Sequence, residues 1–294
     1  VQLQIPIYGC DPDLYDLGSK SNGRKIFREC NLKVPPGFED LHTESDIIDG
    51  LTKMKENNPS LRKAVVKVND GFSGDGNAVF SYSGSEKASD LKTWIKENLQ
   101  KNLKLVATDL PYVVFLEKYK SMGGIVEEFL EGDIKESPSV QCRVTPTGDL
   151  EIISTHDQEL GGESGQVYFG AHFPAAVEYA VELGEMGLKV ADALKQQGVL
   201  GRFAVDFISV KEKGGWKHYP IEINLRKGGT THPFLMLQFL TDGRYNTEDG
   251  KYYTSKGHLV RYYFCSDNLK SDKYKGLSPH DLIDIAMVND LHYD

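Results

Sequence analysis

Apolar and polar positions recur with two different periods along this chain. Over 44–57 the apolar residues Ile47, Ile48, Leu51 and Met54 follow one another at three- and four-residue spacing. That period predicts a helix with one buried face, and Thr43 stands before it as a cap. The same spacing predicts helices over 88–101 (Leu91, Trp94, Ile95, Leu99), 174–197, 233–240 and 280–291, with a further one over 112–120 after Pro111. A short helix follows a lead-in over 1–18. Ser19 or Ser21 caps it and Ile26 and Phe27 face inward. Gly184 and Gly187 interrupt the longest helix, which predicts close packing or a bend.

Strands are predicted where β-branched and aromatic residues cluster between turn signals. AVVKV and NAVF flank a glycine loop. GGIVEEFLEG reads as a strand ending in a turn. Segments 139–146 and 149–155 form a hairpin around Thr147-Gly148, and 258–265 is a late strand. The most informative pair is 202–210 and 217–225, joined at Gly214-Gly215. Val34-Pro35-Pro36-Gly37 reads as a stiff linker. There is no sustained repeat and no low-complexity tract.

Chemistry concentrates on that late hairpin. Alternate side chains of a strand share a face, so Glu222, Asn224 and, if the strand persists that far, Arg226 project together, and Asp206 can face them from the neighbouring strand. Two carboxylates and an amide oxygen are hard ligands of the kind magnesium takes. The competing reading is an ordinary hairpin with solvent-facing polar residues. Upstream, Gly71, Gly74 and Gly76, with Phe72 and Ser73 between them, let backbone N–H groups approach an anion. Because this loop joins two strands, it predicts a flap over a ligand rather than a Walker loop; an ordinary hairpin loop is the alternative. Lys20 enters its helix against the dipole, which points to a role elsewhere or to a solvated lysine. Glu127 and Glu131 stand where a strand end could hold a base or sugar, or where an acidic end is simply exposed. His156 reads as a hydrogen-bonded structural histidine.

Composition narrows the classes. The 294 residues allow one large domain or two moderate ones. A net charge of −9 argues against a general nucleic-acid binder. No apolar run approaches the roughly 20 residues of a membrane helix, and no signal peptide is visible. Cys10, Cys30, Cys142 and Cys265 are too far apart for a paired metal or redox motif. They read as reduced, mostly buried thiols of a cytoplasmic protein. The first residue is Val1, so the chain reads as a fragment or a processed product.

The order of these features resembles the ATP-grasp superfamily: a lysine at a helix entrance, a strand lysine, a glycine flap, an acidic hinge strand and a metal hairpin. LGSKSNGRKIF, AVVKVNDGFSGDGNAVF, STHDQELGGESGQVYFGAHFP, GRFAVDF and IEINLRKGGTTHPF are similar to the peptide-ligase branch related to the pheganomycin-forming ligase. YYFCSDNLKSDKYKGLSPHDLID is similar to the C-terminal extension of that group. The resemblance implies an α+β fold of two subdomains gripping ATP. The lid would span 34–125. The larger subdomain would take 126–294 together with the 1–33 lead-in and lysine helix. A further N-terminal domain of the same protein is expected to precede it.

The resemblance also implies site roles. Lys20 and Lys67 meet the phosphates, under the flap of Gly71, Phe72, Ser73, Gly74 and Gly76. The hinge of Glu127, Glu128, Phe129, Leu130 and Glu131 meets adenine and ribose, with Glu127 the side-chain partner of the base and Arg143 added on the nucleotide side. Asp206, Glu222 and Asn224 hold magnesium, or manganese in its place. Arg226 and Lys67 are the catalytic cations. Arg143, His156, His172, Lys227, Thr230, Thr231 and His232 are candidates for the substrate side. The implied reaction is carboxylate–amine ligation through an acyl phosphate, forming ADP from small-molecule or peptide substrates. Two alternatives are a kinase acting on a small molecule and a nucleotide-binding regulatory module without turnover.

Overall fold

The structure, a computed structural model, describes residues 8–71, 76–162, 165, 167–256, 260–266 and 271–289. After a 3-10 turn at Pro12–Gly18 comes α1 (Lys20–Glu29), capped by the Ser19 side chain, which accepts from the Asn22 N–H. A first antiparallel sheet holds β1 (Gly37–Leu41), β2 (Lys63–Val68), β3 (Asn77–Ser81), β4 (Leu103–Leu105) and β5 (Gly124–Glu128), in the order β1-β5-β2-β3-β4. Three helices serve it: α2 (Glu44–Asn57), α3 (Leu91–Asn102) and α4 (Tyr112–Met122). α2 starts where its sequence places it. Thr43 accepts from the Asp46 N–H, and Asp46 accepts in return from the Thr43 N–H, a capping box.

The second sheet contains β7 (Pro138–Val144), β8 (Leu150–Gly161), β9 (Val167–Phe173), β10 (Gly201–Glu212), β11 (Gly215–Asn224) and β14 (Tyr263–Cys265), in the order β11-β10-β7-β8-β9-β14. A short β6 (Lys135–Glu136) pairs with β10. Outside it lie a small hairpin, β12 (Arg244–Asn246) with β13 (Lys251–Tyr253), and the helices α5 (Ala180–Gln196), α6 (Thr231–Thr241) and α7 (Pro279–Val288).

Strand alternation decides what each sheet offers its two sides. On β2, Ala64, Val66 and Val68 enter the core formed with α2, α3 and α4, and Lys67 lines the open side. On β10, Phe203, Val205 and Phe207 pack into the core with α1 and α5, leaving Ala204, Asp206 and Ile208 on the opposite face. On β7, Val140, Cys142 and Val144 go inward while Ser139 and Gln141 face the same way as Asp206. Burying one apolar file at about 25 cal/mol per Å2 thus fixes where the polar file points. A third cluster, built on Phe173, Phe234 and Tyr252 with Tyr245 and Tyr263 against it, fastens α6 to the β8–β9 end of the sheet.

Several expectations need correction. The 34–37 linker leads directly into β1, which pairs with β5. The longest helix begins at Ala180, six residues after Pro174, because Asp157 of β8 ties the intervening segment down through the Ala176 N–H and the Tyr179 hydroxyl. The helix of 88–101 begins at Leu91, where Asp90 supplies the cap. Within 258–265 only Tyr263–Cys265 is a strand, and residues 257–259 lie outside the described set. Of the cysteines, Cys142 is buried and the other three are half-buried. Gly187 does mark close packing: a Cβ there would lie 2.6 Å from Val140 Cγ1.

Candidate active site

The site is built on the β10–β11 hairpin. Asp206 is the direct cross-strand partner of Glu222, and Ala204 is the partner of Asn224. The register shifts immediately after Asp206, a bulge of the sort that re-aims side chains. Asp206 Oδ1 accepts from Ser139 Oγ at 2.6 Å and Oδ2 from Asn224 Nδ2 at 2.9 Å. Gln141 donates in turn to Ser139 at 2.9 Å. Glu222 Oε1 accepts from Lys20 Nζ at 2.5 Å. The sequence-predicted trio therefore shares one surface, and the lysine at the helix entrance spends its charge there.

Electrostatics separates the two carboxyls. Burial, with the like charge of Glu222 added, raises Asp206 to about 6, against relief from Ser139, Lys20 and Arg226. For Glu222, burial alone would act upward, but the nearby Lys20, then Lys67 and Arg226, hold it below its ordinary value. Two crowded carboxylates, one of them reluctant to ionise, present a donor set with spare negative charge for a hard cation. The amide of Asn224 completes it: its nitrogen donates to Asp206, and its oxygen remains as a third hard donor. The residues present fit a divalent ion. Among the described residues there is no cluster of three or more His, Cys, Asp or Glu side chains that could hold a metal.

A cleft of about 720 Å3 separates this hairpin from the first sheet. Lys67 Nζ lies 2.6 Å from Glu127 Oε1 across β2 and β5, and the other Glu127 oxygen accepts from Arg24 at 2.7 Å. Both Glu127 oxygens are thus engaged by protein cations, so its side chain is not left open as the sequence implied for a base partner. Glu127, Glu128, Phe129 and Leu130 all line the cleft, while Glu131 pairs with Arg62 and stands outside the lining. Two ammonium groups lie over the Phe129 ring, Lys135 at 4.7 Å and Lys63 at 5.4 Å from its centroid. Val65, Ile208 and Ile221 supply apolar wall. Gly71 and Gly76 line the cleft where the loop enters and leaves, and a Cβ on Gly76 would strike Val68 at 2.2 Å. Phe72, Ser73 and Gly74 lie outside the described residues.

Beyond Asn224 the wall continues through Arg226, Gly228, Gly229 and Thr230 to the start of α6. Thr230 is buried and makes no side-chain cap bond. The other substrate-side candidates stand outside the cleft lining, for visible reasons. Arg143 pairs with Glu151. His156 is fully buried, bonds Tyr263 at 2.8 Å through Nε2 and is pushed down to about 3 by burial. His172 pairs with Glu159 at 2.8 Å. The Thr231 hydroxyl accepts from the Gly228 N–H. Lys227 and His232 are exposed. Ser139 and Gln141 were missed by sequence reading, although the alternation of SVQCRV carries the signal. Glu136, Glu159 and Tyr168 also line the cleft; they reach it through the extended β8–β9 arm and the short β6, which no local pattern announces.

Two antiparallel sheets, backed by helices and facing a common cleft of cations, carboxylates and apolar wall, define the ATP-grasp architecture. The fold is shared with a biotin carboxylase–β-γ-ATP complex from Campylobacter jejuni at a TM-score of 0.58 and 16% identity, covering 82% of this chain and 47% of that one. It is shared too with an N5-carboxyaminoimidazole synthetase from Staphylococcus aureus complexed with ADP, at 0.54 and 15%, covering 85% and 54%. The chain belongs to the IQCH-like ATP-grasp family, whose sequence model matches residues 12–111 and 90–248. It is 28% identical over 279 residues to an L-propargylglycine–L-glutamate ligase from Streptantibioticus cattleyicolor, covering 94% of this chain and 54% of that protein. It is 21% identical over 280 residues to IQ motif-containing protein H from Danio rerio, covering 85% of this chain and 26% of that protein. The chain thus spans about half the length of the first relative and about a quarter of the second.

Proposed function

We propose that this chain carries the nucleotide-binding and carboxylate-activating machinery of an ATP-dependent carboxylate–amine ligase. The observation behind this reading is that Asp206, Glu222 and Asn224 meet Lys20, Lys67 and Arg226 on one cleft. A carboxylate and a triphosphate repel each other, so such a site must offset charge before it positions anything. Lys20 and Lys67 supply cations along the floor, and Arg226 supplies one where the transferred phosphoryl group gains charge. Magnesium or manganese held by Asp206, Glu222 and Asn224 would add charge neutralisation and Lewis acidity at the phosphates. Val65, Ile208 and Ile221 offer an apolar seat for the base, with the backbone of Phe129 and Leu130 at its edge.

In the reaction a substrate carboxylate oxygen attacks the γ-phosphorus and the bond to the β-phosphate bridging oxygen breaks, leaving ADP and an acyl phosphate. An amine then attacks the acyl carbon, phosphate departs and the nitrogen loses a proton. The similarity to a protein named for joining two amino acids supports amino acids as the first class to test. In an ADP-release screen of amino-acid pairs, sustained turnover is expected only when acid and amine are both present, with one amide formed per ADP by mass spectrometry. ATP binding with no ADP from any pair would instead mark a regulatory module. A stable phosphorylated product would mark a kinase.

The raised carboxyl of Asp206 gives a pH signature. A cation needs this group ionised, and its midpoint is about 6. Affinity for the metal–nucleotide complex should therefore fall as pH drops from 7 to 5, approaching about tenfold per unit below the midpoint. Calorimetric titrations across that range check it. In the ligand-free protein the same group acts on stability with the opposite sense. The folded form keeps a proton that the unfolded chain releases near 3.8, so the contribution of Asp206 to stability diminishes as pH rises through 6.

A further inference from the structure

Helix α1 carries two buried cations one turn apart, on the same face. Lys20 reaches Glu222 in the metal hairpin. Arg24 reaches the first sheet, and nothing in the reaction accounts for it. Arg24 is 2% exposed and is absent from the cleft wall. Its guanidinium donates from Nη1 to Glu127 Oε2 at 2.7 Å, from Nη2 to the Pro35 carbonyl at 2.9 Å and from Nε to Glu39 Oε2 at 3.2 Å. Three acceptors in three directions leave it one orientation.

Glu127 is equally buried, at 2% exposed, and it divides its two oxygens between Arg24 and Lys67. Lys67, unlike Arg24, lines the cleft. The row therefore runs from a fixed cation through a carboxylate to a cation facing the ligand space. Buried ionic networks of this kind are commonly no more stable than apolar packing, so their value lies in what they orient.

We infer that Arg24 is a positioning residue that aims and loosens Lys67 for a phosphate oxygen by acting through Glu127. This rests on reading the cleft as a nucleotide site. The fixed guanidinium holds Oε2, which leaves Oε1 turned to the cleft edge and sets where Lys67 waits. It also takes half of the attraction of the carboxylate. A lysine that is the sole partner of a dry carboxylate is hard to withdraw; one that shares the carboxylate with a stronger, planar cation transfers to an incoming phosphate more readily. Glu39 plays the anchoring part on the far side, bonding Arg24 and pairing with Arg28.

The test is a double-mutant cycle read by calorimetric ATP affinity. Arg24→Lys keeps the charge but offers one point of contact in place of a fork. In the otherwise unaltered protein it is expected to weaken ATP binding at least about tenfold. In the Glu127→Gln background, where the relay is already cut, the same substitution should change affinity less than about twofold. A merely structural Arg24 would lower thermal stability and weaken ATP equally in both backgrounds. That result overturns the inference, as does unchanged affinity in Arg24→Lys. Should Arg24→Lys fail to fold, Glu39→Gln releases the same anchor from its more exposed side and should show the same dependence on Glu127, at about threefold. The unaltered protein is titrated first. If it binds no ATP, the nucleotide reading fails and this inference with it, before any substitution is made.

Discussion

Glu222→Gln is expected to lower ADP formation by at least about 10²–10³-fold while leaving the protein folded. The substitution keeps the shape and an acceptor for Lys20, whose Nζ lies 2.5 Å from Glu222 Oε1, and removes only the charge. Removing that charge strips the candidate cation site of one of its two carboxylates, and Lys20 of its counterion. Asp206 also loses the like charge that, after burial, keeps it near 6. Glu222→Ala should be equally inactive and also less stable, because the ammonium of Lys20, with its side chain 7% exposed, is then left unpaired. Comparing the two by thermal melting separates loss of chemistry from loss of fold. ADP release within tenfold of the unaltered protein in Glu222→Gln would defeat the assignment of this carboxylate to the metal.

Arg226→Gln carries the second large expectation: kcat down by about 10²–10³-fold, with ATP affinity changed far less. Arg226 follows the hairpin at a turn in which its N–H donates to the Asn224 carbonyl at 2.8 Å. Its side chain lines the cleft, and its charge lowers both Asp206 and Glu222. A cation so placed is worth most when negative charge spreads over the phosphoryl group in flight, and less in the resting complex. Arg226→Lys should recover only part of the rate, because an ammonium lacks the fork that meets two oxygens together. As Arg226 is exposed, melting temperature should barely move. An equal loss of ATP affinity and kcat/KM at unchanged kcat would place Arg226 in binding alone.

Much of this site is legible in the sequence. The trio on β10 and β11 follows from alternation in two strands joined by a short turn. The cap on α2 follows from Thr43 and the acidic third residue after it. Lys20 stood out because its place at a helix entrance opposes the dipole. The pairings that local pattern does not announce share a cause. His156 and His172 lie close to the cleft in sequence, yet one is sealed against Tyr263 and the other is taken by Glu159. Glu127 sits at the expected hinge but has its oxygens divided between two cations that precede it by 103 and 60 positions. Arg24 is silent for the same reason: an arginine on a short helix carries no local sign that its partner Glu127 lies on a distant strand.

The late hairpin, the main helices and the face on which each strand carries its polar residues were determined by the sequence alone. Local periodicity and caps act over a few residues, and burying the apolar file leaves the polar file one way to point. Only the tertiary structure decided which charges meet: Lys20 with Glu222, Arg24 and Lys67 with Glu127, Asp206 with Ser139. Those pairings depend on how two sheets and the helix between them pack. Coulombic and hydrogen-bond contacts over 2.5–2.7 Å are set by that packing and not by spacing along the chain.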